Sequence, residues 1–507
     1  MRPIRSFSLV WALLVLPSAY AELAEAAPVR GRPAPEAERR TDDDLPEAAP
    51  ELVHLEASGL TAAAVGKKAS QNSFKAKAME ASLREAAAHV DEAWLGFLPR
   101  LSATARYTRL SVFTQAKLLD LGNGFNPVFS AQPPYEPGRD PQPLDVNRAG
   151  VANAQDYRLR VVPDQYLLQL TVVVPLSDML LRVTQSYAAA SHAEDAARFE
   201  AALAHAKAQT EGKVAYYTWL RAKGAQTVAN LALRDQKNHL RDQKNLQTTG
   251  GSARGDLLRA EGAVAAAELA VERANDFVAL AEKQVRNAMH LGEEERLVPA
   301  EGFEVNPPSQ RPLDQVTRDG LAARLEVKSL DASIKALRAQ ARASRLAGLP
   351  QLGVFGDVVH ANPNPRTIPP RKEWLPTWAA GVQVTWSPND TLGGVYGGAA
   401  TAARADALDA ERGALREAIE LEIMQAYHEV KQSVALVESS KRDLAAAEET
   451  YRAARQLFST GRIPSATLTD TETDLTRARL GALNAAVDAR IAKVRLEHAT
   501  GSAQRAE

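Results

Sequence analysis

Residues 254–289 read RGDLLRAEGAVAAAELAVERANDFVALAEKQVRNAM. Leu257, Val264, Val271, Val278 and Val285 recur every seven residues, and an alanine stands three positions after each: Ala260, Ala267, Ala274, Ala281 and Ala288. The pattern returns 211 residues later. There the large track is Leu468, Leu475, Ala482, Ala489 and Leu496, and the small track is Thr471, Ala478, Ala485, Ala492 and Ala499. A period of 3.5 residues in a duplicated segment specifies long helices that pack on neighbours along their whole length. Such helices build a tube, bundle or scaffold more readily than a catalytic core.

Outward from this ladder the rest of the chain is also written twice. A helix is expected from Leu60 to Leu95, stopping at Leu98-Pro99, and its counterpart from Leu313, stopping at Leu349-Pro350. Each proline forbids continuation of the helix and biases its predecessor to the β region. Alternation follows, with Leu101, Ala103, Ala105 and Tyr107 on one side and Ser102, Thr104, Arg106 and Thr108 on the other. This is the period of a strand with one apolar face.

The return strands carry Leu168, Leu170, Val172 and Val174 before Pro175, and Trp378, Ala380, Val382, Val384 and Trp386 before Pro388. An apolar strand face ended by tryptophans fits either the band of an outer-membrane barrel with its aromatic girdles or the edge of a soluble sandwich. Each strand pair precedes a long helix, from Ser177 to Thr248 and then across the heptad track Ile423, Val430, Val437, Leu444, Tyr451 and Phe458. The helices reverse at Thr249-Gly250-Gly251-Ser252 and at Thr460-Gly461-Arg462-Ile463-Pro464-Ser465, where glycine supplies a left-handed turn and Ser252 or Ser465 is placed to cap the next helix. The first strand pair encloses a Pro-rich insertion, residues 110–162; the second encloses only residues 360–371.

The 507 residues carry 61 basic and 62 acidic side chains, so no basic excess marks a nucleic-acid surface. Arg2 and Arg5, an apolar run from Phe7 to Leu16, and Ala19-Tyr20-Ala21 read as a signal peptide over residues 1–21, with an uncleaved anchor helix as the alternative. Residues 22–56 are Ala-, Pro- and charge-rich and read as a flexible leader. There is no cysteine, the nine histidines are scattered, and no nucleophile motif is present, so neither a metal site, a cofactor nor an enzyme is expected. The expected organisation is a first repeat over 57–292 with its strand pair in 98–175, a linker over 293–311, a second repeat over 312–501 with its strand pair in 349–388, and a short tail, 502–507.

Beyond the leader no apolar run is long enough for a membrane helix. Strands that meet lipid must belong to a closed barrel, and four strands are too few to close one, so several chains would have to share it. The chain from about residue 57 to 501 resembles the TolC family of outer-membrane efflux proteins, with two copies of helix, Leu-Pro, strand pair and long hairpin with a glycine tip. The resemblance implies a mostly α fold with a small β part. Long coiled-coil hairpins would form a periplasmic α-barrel, and four strands per chain would contribute to a trimeric, twelve-stranded transmembrane β-barrel. It also implies a homotrimer in contact with outer-membrane lipid, working with a periplasmic adaptor and an inner-membrane pump as an exit duct for efflux or type I secretion. A periplasmic coiled-coil adaptor or scaffold without a pore is the competing reading.

By the same resemblance Gly250 and Gly461 are adaptor-contact tips. Counting from them gives Asp256, Thr467 and Asp470 at gate positions, of which Thr467 replaces an acidic residue. Phe458 stands where the family has a gate tyrosine, and Ile463 where it has an arginine, so the family's polar ties cannot form and closure must rely on packing, on Arg462 or on other groups. For Asp256 and Asp470 the alternative role is stabilisation of a helix first turn by the helix dipole. Trp374, Trp378 and Trp386 are the expected membrane-interface aromatics.

Overall fold

A computed structural model describes residues 55–56, 59–111, 162–248, 253–292, 297–304, 311–368 and 370–502. The expected signal peptide, nearly all of the leader and the insertion, the first hairpin turn with Gly250, and most of the linker lie outside these residues. In chain order the elements are α1 (Ala62–Asn72), α2 (Phe74–Leu95), β1 (Arg100–Arg109) and β2 (Asp164–Val174). A single turn α3 (Leu176–Asp178) and a π-turn (Met179–Val183) then lead into α4 (Thr184–Thr248), followed by α5 (Arg254–Met289). The second copy comprises α6 (Leu313–Ala323), α7 (Leu325–Ala347), β3 (Gln351–Asn362), β4 (Leu375–Thr385), α8 (Pro388–Ser459) and α9 (Ser465–Ala499).

The helix expected from Leu60 to Leu95 is therefore broken. Ser73, with φ −55° and ψ 122°, ends α1, and its hydroxyl accepts from the Ala76 amide to begin α2. The second copy breaks 251 residues later at Arg324, with φ −59° and ψ 123°. Buried Arg324 donates to Glu326, Glu422 and the Ala499 carbonyl, which fastens the break to α8 and to the end of α9.

The four strands form one antiparallel sheet in the order β1-β2-β3-β4. All helices join the sheet at one end, because β1 and β3 start there and β2 and β4 finish there. Next to the sheet the helices lie side by side as α2-α4-α7-α8; further away α5 and α9 take the places of α2 and α7, giving α5-α4-α9-α8. The 65-residue α4 and 72-residue α8 run through both layers, each about 100 Å long at ~1.5 Å per residue.

The helices approach closely both where the layers exchange and next to the sheet. A Cβ on Gly212 of α4 would lie 2.7 Å from the Ala69 Cβ of α1, and one on Gly398 of α8 would lie 2.9 Å from the Ala341 carbonyl of α7. The largest core cluster centres on Tyr216, Trp219 and Leu220 of α4, closed by Val278, Ala281 and Val285 of α5 and by Leu483, Val487 and Ile491 of α9.

Candidate channel wall and helical tip

The strand register turns alternating sequences into two unlike faces. On one face Leu101, Val172, Gly356 and Ala380 form one rung, Ala103, Leu170, Val358 and Trp378 the next, and Val174, Val354 and Val382 another. The side chains of Leu101, Leu168, Leu170, Val358, Trp378, Val382 and Val384 on this face are exposed. The other face carries Ser102, Thr104, Arg106, Gln165, Gln169, Thr171, Asp357, Thr377 and Gln383. An uncovered, uninterrupted apolar face opposite a polar one is the pattern of a barrel strand set between lipid and an aqueous lumen.

At the end away from the helices, Tyr107, Tyr166, Trp374 and His360 form a continuous aromatic row on the apolar face, with ring centroids 5.1, 5.8 and 5.0 Å apart. Beyond it Asp164 accepts from Tyr107 Oη and Arg109. Trp378 lies inside the sheet opposite Val358, while Trp386 follows β4 at the helical end and donates Nε1–H to Thr391. From Trp374 to Trp386 the chain spans roughly 30 Å of height at ~3.3 Å per residue and a ~40° tilt.

The second hairpin turns between Ser459 and Ser465, with Gly461 at φ +69° and its amide bonded to the Phe458 carbonyl. Ser465 does not cap α9. It is the first helical residue, and its hydroxyl instead lies 2.9 Å from His239 Nε2 on α4. The Phe458 ring packs 5.3 Å from the same imidazole. Three residues along α4, Gln236 Nε2 donates to Glu472 Oε2 at 2.9 Å, and the other Glu472 oxygen lies 4.0 Å from His239 Nδ1.

Gln236, His239, Gln243, Ser465 and Glu472 are all buried. Burial, aided by Asp235 and Asp242, drives the Glu472 carboxyl up to about 8 against the pull of Gln236 and Arg455, and burial lowers His239. At neutral pH this seam therefore favours a protonated carboxyl and an uncharged imidazole. Helical packing and two side-chain ties hold α9 against α4 here.

Of the predicted gate residues, Phe458 is part of this seam. Thr467 and Asp470 are exposed on the first turns of α9, with Asp470 beyond the first turn, so the dipole role offered for it does not apply. Asp256 is in the first turn of α5, 3.6 Å from Arg259, where both the dipole and the arginine stabilise its charge. Sequence reasoning did not single out Gln236, His239 or Glu472. A signal was present in the repeated Leu233-Arg-Asp-Gln-Lys-Asn and Leu240-Arg-Asp-Gln-Lys-Asn, which puts Gln236 and Gln243 one heptad apart on a buried stripe. Among the described residues no group of three or more His, Asp or Glu is placed to hold a metal ion, and no helix is long and apolar enough to cross a membrane.

Residues 317–502, the second copy almost entire, match the family profile "Outer membrane efflux protein". Over that stretch, somewhat more than a third of the chain, the sequence is similar to the outer membrane efflux protein family. The chain's fold is also that of solved outer-membrane channels. The outer-membrane channel OprN superposes with a TM-score of 0.68 at 16% identity, covering 88% of this chain and 94% of OprN. The Campylobacter jejuni CmeC outer membrane channel gives 0.68 at 15% identity over 91% and 94% of the two chains. The Neisseria gonorrhoeae MtrE outer membrane channel, solved in its open state, gives 0.66 at 16% identity over 94% and 97%. No curated protein matches the sequence. The sequence match thus falls in one copy of the repeat, and the structural likeness extends over both.

Proposed function

We propose that this chain is the outer-membrane exit duct of a tripartite efflux or type I secretion system, a passive channel rather than an enzyme. One observation carries this reading: an exposed apolar face runs in register across all four strands while every helix leaves from one end of the sheet. In lipid the outer edges of β1 and β4 must be paired. Three copies joined edge to edge give twelve strands and a closed barrel, and bring the helices together as a tube reaching into the periplasm. Trp374 and Trp386 would lie at the two membrane interfaces, with Trp378 in the lipid band.

The hairpin turns at Gly250 and Gly461 would meet a periplasmic adaptor and, through it, an inner-membrane pump. Asp256, Thr467, Asp470 and Phe458 would surround the constricted end of the tube. The experiment is purification from outer-membrane fractions followed by planar-bilayer recording. Discrete conductance from a trimer is the expected result, and a bulky residue at Gly461 should leave the trimer intact while abolishing efflux in cells. A periplasmic scaffold without a pore would fractionate as a soluble protein and conduct nothing, and that outcome rejects the proposal.

A further inference from the structure

The β3–β4 connection does not simply project beyond the sheet. Asn364 is 1% exposed; its Nδ2 donates to the Leu375 carbonyl at 2.8 Å and to Thr377 Oγ1 at 3.1 Å, on the polar face. The Asn364 side chain also accepts from the Arg366 amide, and its carbonyl accepts from Thr367. Arg366 then reaches back along the same face to Asp357 Oδ2 at 2.6 Å. Asp357 pairs with Ala379, two rungs of this face below the Ala361–Leu375 pair at the strand ends. The contacts of the loop thereby reach roughly 13 Å down the wall, at ~3.3 Å per residue, through the Arg366 side chain.

The burial pattern agrees. Val359 and Ala361 point to the polar face, which an isolated protomer would leave open, yet they are 4% and 1% exposed. Ile368, in contrast, is 86% exposed and projects from the strap. A cavity of about 440 Å³ separates the loop from the Arg106, Thr108 and Gln165 side of the sheet.

We infer that residues 363–368 form a strap on the lumenal wall at the outer mouth, and that the Asp357–Arg366 ion pair sets the size of solute able to pass there. The inference rests on the reading of the polar face as the lumen of a trimeric barrel. A twelve-stranded barrel measures about 24 Å between backbones for strands ~4.8 Å apart and tilted by ~40°. Side chains take part of that width, and three symmetry-related straps add a second layer of chain inside it. The ion pair is well suited to hold the strap because Asp357 is buried and the bond is short and charge-assisted. Removing either partner leaves the other charge without its partner and frees the strap to swing outward from the mouth, which widens the passage.

The absence of cysteine permits a direct test. A single thiol is introduced as Gln383→Cys, on the polar face near the helical end, and in a second protein as Val384→Cys on the apolar face. Intact cells or oriented trimers are treated from outside with a small charged methanethiosulfonate and with a bulky polyethylene-glycol maleimide. In the Gln383→Cys protein the small reagent should react and the bulky one should be excluded. Adding Asp357→Asn or Arg366→Gln should raise bulky-reagent labelling about tenfold, the change in open population expected from losing one charge-assisted bond, with trimer yield unchanged. Exchanging the charges, Asp357→Arg with Arg366→Asp, should restore exclusion.

Equal labelling by both reagents before any loop substitution overturns the strap, as does unchanged exclusion in both single variants. Labelling of Val384→Cys but never of Gln383→Cys would instead overturn the assignment of the lumenal face, and with it the duct.

Discussion

Glu472 is a carboxylic acid in a place where its charge has little support. Gln236 offers one neutral hydrogen bond, Asp235 and Asp242 oppose ionisation, and of the nearby cations Arg455 acts only weakly against burial. Its folded value of about 8 exceeds its ordinary 4.5. The folded tip therefore holds a proton that the unfolded segment has lost, and between these values the stability of the seam falls as pH rises. The contribution is complete below pH ~4.5 and lost on passing ~8, with a slope of about 1 kcal/mol per pH unit in between.

Amide exchange in the first turns of α9, corrected for its intrinsic pH dependence, should show protection declining from pH 6 to 8.5. Glu472→Gln, which keeps the shape without the titration, should flatten the decline; an unchanged slope in that variant would locate the effect elsewhere. The local sequence hints at this only through its repeated hexad. The tract Leu233 to Asn245 is dense in polar and charged residues and reads as a solvated face. Only the neighbours on both flanks of α4, α5 on one side and α9 on the other, make a second stripe of that helix interior.

At the scale of elements the heptad ladder was legible because its repeat is long. Val264, Val278, Val285, Ala260 and Ala281 of α5 are buried, as are Ile423, Val430, Val437, Ala426, Ser433 and Ala454 of α8. In α9 the ladder describes one face only. Leu483, Val487 and Ile491, spaced by four, form a second buried face against Trp219, because α9 sits between α4 and α8 and must satisfy both. The helix breaks at Ser73 and Arg324 were not legible, since neither residue is a proline or glycine and the second break depends on contacts to Glu422 and Ala499 from distant parts of the chain.

Glycine positions separate packing from propensity within these elements. Gly398→Ala would place a methyl 2.6 Å from the Arg345 side chain and 2.9 Å from a backbone carbonyl, and should cost about 1–3 kcal/mol. Gly481→Ala, on α9 with nothing within 4 Å, should instead add stability of about 0.5–1 kcal/mol through helix propensity. Denaturation midpoints of the two proteins should move in opposite directions. Two shifts of the same sign would show that the α7–α8 contact does not depend on close approach.

For the whole molecule, the proposed trimer would set three Asp470 side chains in a ring at the end of the tube. Carboxylates 6 to 10 Å apart repel by only about 0.4 to 0.7 kcal/mol per pair in water-like dielectric. That is too little to force a pore open, and charge alone cannot occlude one. The ring is better suited to selection. Three charges roughly 6 Å from a cation on the axis sum to about 2 kcal/mol before screening, and physiological salt reduces this to about 1 kcal/mol. The resulting enrichment of cations at the constriction is about fivefold.

On the proposed reading, closure would rest on the uncharged seam of Phe458, His239 and Ser465 and on the packing of α9 between α4 and α8. The two roles are separable by experiment. Asp470→Asn should lower cation-over-anion permeability in asymmetric-salt bilayer recordings, with little change in open probability, and the difference from the parent should shrink as salt is raised. If the reversal potential is unchanged at low salt, Asp470 does not line the constriction. If instead the substitution raises open probability at constant selectivity, the acidic ring is part of the closure and the seam on α4 is not sufficient to hold the tube shut.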